Sequence, residues 1–300
     1  MKNVLITGGT VFVSRYGAEY YVKKGYRVFV LNRNSRMQPD GVTLIEADRH
    51  QLHEELRHYY FDVIFDITAY TADDVSQLLG AVGGYGDYIL LSSSAVYPET
   101  CPQPFRELAA LGENRFWKKY GTDKIEAEQA LIQQEPNGYI LRPPYLYGPL
   151  NNVYREAFVF ECALQNRKFY LPQDGEMQLQ FFYIDDLFRF MDVILEKKPA
   201  QHVFNVGNSE TVSIRDWVSL CYQAAGRTAE FVSVTDAVEQ RNYFCFHPYE
   251  YCLDVTAQQR LMPETKPLES GLRESFEWYS SHSGEVNRKP LIQYIDAHLA

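Results

Sequence analysis

Six short apolar runs spaced through the first half of the chain constrain its fold more than any other feature. They are Val4-Leu5-Ile6, Val28-Phe29-Val30-Leu31, Thr43-Leu44-Ile45, Val63-Ile64-Phe65, Ile89-Leu90-Leu91 and Tyr139-Ile140-Leu141. Each run is nearly continuous rather than alternating, as expected for strands buried on both faces of a parallel sheet. Helix-length segments lie between them, including residues 14–24, which stop before Gly25, and 117–134, which stop before Pro136. Repeated strand–helix units of this kind predict an α/β fold with a doubly wound parallel sheet. The second half is less regular, with one more strand expected at Val203-Phe204-Asn205-Val206 and helices at 214–225 and 271–280. Residues 1–150 are expected to form the sheet domain and 151–300 a smaller, interleaved α/β lobe, with part of 178–210 returning to the sheet.

A chain of 300 residues can bury a proper core. Its net charge of −10, with no long basic run, argues against a broad nucleic-acid footprint. The five cysteines form no CxxC pair, which fits reduced thiols in the cytoplasm better than disulfides or a zinc site. His50, His53 and His58 fall in RHQLHEELRHYY, which reads as a helix surface rather than a metal site. The apolar stretch at the start is too short for a signal-peptide core, and no run reaches membrane-spanning length. A cytoplasmic protein is expected. The 23 tyrosines and 18 phenylalanines suit core packing first and a ring-binding cleft second.

TGGTVFVS (residues 7–14) follows the first strand and opens the first helix, where a dinucleotide phosphate loop belongs. A helix N-terminus there offers free N–H groups and a positive dipole end to a pyrophosphate. Downstream, Tyr120 and Lys124 in YGTDK stand four residues apart, so a helix places them on one face. Tyrosine is a poor base at its ordinary pKa of about 10, and a neighbouring ammonium favours the phenolate. A hydroxyl from the run Ser92-Ser93-Ser94 would hold the substrate oxygen whose proton moves.

These segments, with FDVIFDITAY, LLSSSAVYP, LRPPYLYGP, FFYIDDL, FNVGN and TKPLESGLRESFEWY, occur in the order and spacing of recurring blocks of the extended short-chain dehydrogenase/reductase superfamily. The chain resembles its nucleotide-sugar epimerase and dehydratase group along its whole length. The resemblance implies a Rossmann-type domain binding NAD(P), with Tyr120 as catalytic tyrosine, Lys124 as the lysine that also holds the nicotinamide ribose, and Ser93 as catalytic serine. Ser92 would support the loop backbone.

The glycine loop departs from the family's GxxGxxG. Gly8 stands in place, followed by Gly9 and Thr10, but Val11 and Ser14 replace the second and third glycines. Valine's branched side chain is expected to push phosphates outward or re-aim the loop. Gly8, Gly9, Thr10, Phe12 and Ala69 are candidate cofactor contacts. Asn32 would hydrogen-bond a ribose without repelling a 2′-phosphate, and Arg33 would pair with one, which leans toward NADP. Asp48 would touch the adenine end.

Ser94 and Ala95 occupy the positions where the family's 4,6-dehydratases carry an Asp-Glu pair, which disfavours dehydration and leaves 4-epimerisation or ketone reduction. Ser94, Asn152, Arg155 and Tyr183 are candidate substrate contacts, whereas Arg142 is expected to be a structural ion-pair residue. Asp185-Asp186 would cap a helix. The expected substrate is a sugar-like hydroxyl on a nucleotide sugar. The resemblance also implies a homodimer through the Tyr–Lys helix, with Ile125, Ala130 and Leu131 serving that face or the core. Two rival readings stand beside this one. One is a non-catalytic nucleotide-binding or regulatory module with a drifted loop. The other is RNA binding, because plastid stem-loop-binding relatives carry a similar GGTxF loop; the acidic charge counts against it.

Overall fold

A computed structural model describes residues 1–300. Seven parallel strands form the central sheet: β1 (Asn3–Thr7), β2 (Arg27–Asn32), β3 (Val42–Glu46), β4 (Tyr60–Asp66), β5 (Gly84–Leu91), β6 (Tyr139–Arg142) and, much later, Val203–Asn205. Their spatial order from one edge is β3-β2-β1-β4-β5-β6, with Val203–Asn205 outermost beside β6. The order reverses between β1 and β4, and the crevice above such a switch point is where ligands bind in open α/β sheets. All six runs of the first half fall on these strands. Val4 and Ile6 point to the core shared with the second lobe, while Leu5 points to a smaller core under two helices.

Three helices connect the first six strands: α1 (Phe12–Lys23), α2 (Ala72–Ala81) and α3 (Lys119–Gln134). On α2 a capping box holds the start, with the Thr71 hydroxyl accepting from the Asp74 amide and the Asp74 carboxylate accepting from the Thr71 amide. On α3, Ala130 and Leu131 pack into the smaller core while Ile132 faces outward, so the first two are core residues and not an exposed face. The helix expected through residues 49–60 does not form. Arg49–Gln51 makes one 3-10 turn and Tyr60 already opens β4. Arg49 turns inward to Asp66, which is fully buried and also accepts from Thr7 and Tyr88. Burial raises the Asp66 carboxyl, but Arg49 and the hydrogen bonds prevail and hold it below its usual range.

The second half continues with β7 (Tyr145–Tyr147), α4 (Glu156–Leu164), β8 (Phe169–Pro172), β9 (Gln178–Leu179), β10 (Phe181–Tyr183), α5 (Ile184–Lys197), β11 (the Val203–Asn205 strand already described) and β12 (Val212–Ser213). It ends with α6 (Ile214–Ala224), β13 (Phe231–Val234), α7 (Thr256–Leu261), α8 (Leu268–His282) and α9 (Leu291–His298). Small two-stranded pairings, β7 with β10, β8 with β13 and β9 with β12, tie this half together. Most of the aromatic richness is spent here on packing: Phe181 stacks on Trp217 with ring centroids 5.5 Å apart, and Trp217 is fully buried. Asp185 and Asp186 lie in the first turn of α5 and are not its cap, since Tyr183 holds the cap position. Asp185 accepts from Tyr16, and buried Asp186 accepts from the Lys266 amide and from Arg189. No helix is long and apolar enough to cross a membrane.

Candidate active site

Tyr120 and Lys124 sit one turn apart on α3, which passes close to the turn Ser94–Val96 at the end of β5. Gly121 permits that approach, because a Cβ there would lie 2.4 Å from the Ala95 carbonyl oxygen. Ser93 stands at the head of the same turn and accepts from the Ala95 amide at 3.2 Å. Gly121→Ala should therefore push α3 off this turn. Displacements of about 1 Å at a catalytic group cost on the order of 10²-fold. Measured kcat should fall by that order with the chain still folded; unchanged kcat would remove the close approach as a requirement.

Lys124 is buried, and its Nζ donates to the Ala69 carbonyl at 2.6 Å and to Leu91 at 2.8 Å. Burial pulls its pKa down to about 8, against the raising effect of Asp66 and Glu128. The Nζ lies 4.9 Å from the centroid of Tyr70 and 6.0 Å from that of Tyr120. The expected depression of the Tyr120 phenol by this lysine is not seen. Burial raises the phenol above its ordinary value, with Tyr70 adding to the rise; Ser93 and Arg155 act in the opposite direction. Tyr120 is 39% exposed as a residue, while the groups packed around its hydroxyl desolvate it.

Two cavities meet at Tyr120. An inner one of about 400 Å³ is lined by Phe12, Ser14, Tyr70, Lys124 and their neighbours. An outer one of about 270 Å³ is lined by Ser94, Trp117, Tyr145, Tyr251 and several cations. Ser93, Tyr120 and Arg155 belong to both. A third cavity of about 340 Å³ continues from the inner one past Val11 and Tyr70 to Gly8, Thr10, Asn32, Arg33, Arg36 and Asp48.

The altered glycine loop keeps the geometry of a phosphate cradle by other means. Gly8 and Gly9 have φ of +91° and +95°, and a Cβ on Gly9 would lie 2.5 Å from Val30 Cγ1. Both positions thus require glycine. Ser14 folds its hydroxyl back onto the Val11 carbonyl at 2.9 Å and fills the space that Gly8 leaves free. Gly17 takes over the close-packing role, since a Cβ there would lie 2.5 Å from the Phe188 ring. At the altered positions Val11 is extended and Phe12 adopts φ of +33°, a region that L residues rarely occupy. No side chain caps the start of α1, so its first amides are free for an anion. The uncapped helix start, the glycine cradle and the Lys124 ammonium fit a dinucleotide laid along the inner and third cavities, which leaves the outer one open beside Tyr120.

Several expected contacts are placed elsewhere. Asn32 is committed to the loop itself: its Nδ2 donates to the Gly8 carbonyl at 2.6 Å and to Gln38 at 2.9 Å, while its Oδ1 accepts from the Asn34 amide. It braces the cradle rather than offering a free amide to a ribose. The Asp48 carboxylate accepts from the His50 amide at 3.0 Å but still lines the third cavity. Gly9 packs behind the loop against Val30 and is not part of the walls of these three cavities. Asn152 lies outside both cavities beside Tyr120, and its carbonyl accepts from the Asn287 amide at 2.9 Å in the bridge to the C-terminal segment. Tyr183 is buried on β10 with its hydroxyl on Glu274, turned away from the cleft. Arg142 is a structural ion-pair residue, buried against Glu128 and Tyr97. The cleft also gathers Tyr70, Trp117, Arg241, His247 and Lys289, none of which the sequence singled out.

The strand order, the switch-point crevice and the glycine cradle define a Rossmann-type α/β protein. The chain belongs to the NAD dependent epimerase/dehydratase family, whose model matches residues 4–207. Among curated relatives, the chloroplast stem-loop binding protein of 41 kDa b from Arabidopsis thaliana is 27% identical over 75% of this chain, which covers 64% of that protein. A UDP-N-acetyl-alpha-D-glucosaminuronate decarboxylase from Bacillus cytotoxicus is 23% identical over 98% of both chains. Among solved structures, UDP-glucose 4-epimerase from Thermotoga maritima with UDP-glucose superposes with a TM-score of 0.76 at 20% identity, covering 93% of this chain and 99% of that one. UDP-glucuronic acid 4-epimerase from Bacillus cereus, in complex with UDP-glucuronic acid and NAD, gives 0.72 at 20% identity over the same shares.

Proposed function

We propose that this chain is an NAD(P)-dependent oxidoreductase or epimerase that moves a hydride to or from a sugar-like hydroxyl or ketone, with Tyr120 as the acid/base. The observation that carries this reading is the convergence of Ser93, Tyr120 and Lys124 on one cleft wall continuous with the glycine cradle. NAD(P), when bound, supplies the hydride acceptor or donor. Gly8, Thr10, Val11 and Phe12 would hold its phosphates, Arg33, Arg36 and Asp48 its adenosine end, and Lys124, fixed by Ala69, its nicotinamide ribose. Arg33 and Arg36 in one cavity favour a 2′-phosphate, hence NADP. Tyr120 exchanges a proton with the substrate oxygen, which the Ser93 hydroxyl positions. Ser94 and Ala95 supply no carboxylate, so 4,6-dehydration is disfavoured. Nucleotide sugars, which the similarly folded proteins hold, would present their sugar in the outer cavity beside Tyr120, and the five free cysteines suit work in the cytoplasm.

Calorimetric titration of the purified chain tests the reading. Both cofactors should bind, NADP⁺ more tightly, and Arg33→Ala combined with Arg36→Ala should erase that preference. Silence with either cofactor at millimolar concentration would leave a drifted, non-catalytic module instead. RNA binding has one observation in its favour, the likeness to the stem-loop binding protein. A salt-sensitive gel shift with a stem-loop RNA, abolished by NADP⁺, would support it as an additional use of the cleft.

A further inference from the structure

The outer cavity beside Tyr120 is lined by Arg155, Arg241 and Lys289, together with His247, and by no aspartate or glutamate. The inner cavity has no acid in its wall either. In a chain carrying a net charge of −10, this is a local reversal of sign. The three cations are also unpaired. Arg288 pairs with Glu161 at 2.9 Å, whereas its neighbour Lys289 reaches no carboxylate. Arg155 lies over the Tyr145 ring, 5.2 Å from its centroid, and Arg241 is held by the main-chain carbonyls of Phe244 and Cys245.

These charges act on one another. Burial, then Arg241, lowers the Lys289 ammonium, and burial, then Arg241, Lys289 and Lys118, brings His247 down to about 4. His247 is therefore neutral at pH 7 and adds no fourth charge. The one carboxylate that feels Arg155, buried Glu156, accepts from Asn151 and lines neither cavity, so within the cavity these partly desolvated cations face no counter-charge and cost free energy unless an anion joins them. Arg155 places that anion close to the chemistry, since it lines both cavities and pulls the Tyr120 phenol downward. A volume of about 270 Å³ is near the lower end for a small-molecule site and suits a single sugar-sized moiety.

Building on the proposed hydride transfer, we infer that the moiety reacting at Tyr120 itself carries a negative charge, a carboxylate or a phosphoryl group, which Arg155, Arg241 and Lys289 hold in the outer cavity. The substrate class is a sugar acid or a sugar phosphate, rather than a neutral sugar whose only charge is a remote nucleotide diphosphate. Arg155, with its planar fork, faces the anion nearest the reacting carbon, and Lys289 closes the solvent side as a point charge.

Binding to the full chain preloaded with NADP⁺, followed by calorimetry and by Trp117 fluorescence, tests this without turnover. The probes are glucuronate, glucose 1-phosphate, glucose and UDP. At least one sugar anion should bind while glucose does not, and the tighter of the two anions identifies carboxylate or phosphoryl as the source. Arg155→Gln and Lys289→Gln should each weaken that anion on the order of tenfold, the worth of one charge-assisted hydrogen bond. Lys289 is exposed as a residue although its ammonium is partly desolvated at the cavity mouth, so its variant reports on binding even where Arg155→Gln folds poorly. UDP binding alone, with both sugar anions silent, overturns the inference and assigns the cluster to a nucleotide diphosphate. Equal binding of glucose and its anions, or anion binding indifferent to both variants, overturns it as well. Tyr120→Phe should bind the anion like the wild type, so loss of hydride transfer and loss of the anion site are read separately.

Discussion

Tyr120→Phe should lower kcat by about 10²–10⁴, the usual worth of a positioned general acid or base, while cofactor titration and thermal melting stay as in the wild type. The change removes one hydroxyl from a residue that is 39% exposed and leaves its neighbours Tyr70 and Trp117 in place, with ring centroids 6.2 Å and 6.4 Å away. Stability should therefore move by little. The pH dependence carries a sign. Burial keeps the phenol above its ordinary range, so it is protonated at neutral pH and ready to donate. Ketone reduction should hold through the neutral range and decline under alkaline conditions. Alcohol oxidation needs the phenolate and should climb with pH. Above about 8, Lys124 loses the proton that makes it a cation, which limits that climb. A phenylalanine variant that turns over at the wild-type rate, or that keeps this alkaline rise, removes Tyr120 from the chemistry.

The sheet was legible because its strands are buried on both faces. Val28-Phe29-Val30-Leu31 has no place except a sheet interior, and it forms most of β2. The Tyr120–Lys124 pair was legible because helical spacing is a local property, and α3 puts both on one face. Where tertiary context overrode local pattern, the reading failed. Residues 49–60 carry helix-forming side chains, but the buried Asp66 draws Arg49 inward and β4 claims Tyr60. Asn32 looked free to meet a ribose, but the two positive-φ glycines leave a carbonyl at Gly8 that its amide satisfies. Arg241 and Lys289 carried no signal at all. Arg241 reaches the cleft from a single 3-10 turn and Lys289 from an irregular segment held by the bridge between Val153 and Asn287, and no periodicity encodes such a path. The half of the site proposed to hold the cofactor was thus readable from motifs, whereas the half proposed to meet the substrate depends on the folded second lobe.

Glu128→Ala should be the most destabilising single change near the site. Glu128 sits on α3 one turn beyond Lys124, fully buried, and accepts from Arg142 Nε at 2.9 Å, from Arg142 Nη2, and from the Ser92 hydroxyl. Arg142 ends β6 with only 4% of its side chain exposed, and its Nη1 donates to Tyr97 at 2.8 Å and to the Glu107 carbonyl at 3.0 Å. Removing the carboxylate strands a buried guanidinium, a defect of about 3–5 kcal/mol against a typical total of about 5–15 kcal/mol. A large drop in Tm and in the urea midpoint should follow. Replacing both partners, Glu128→Leu with Arg142→Met, removes the charges together and should recover much of the loss, because a buried pair only repays the desolvation of its own ions. The cycle formed by the single and double variants then measures their coupling directly. Full recovery of stability with kcat still depressed would show that the pair also sets the position of α3 against Ser92 and Ser93. A loss below about 1 kcal/mol for Glu128→Ala would mean that water reaches Arg142, contrary to the burial seen here.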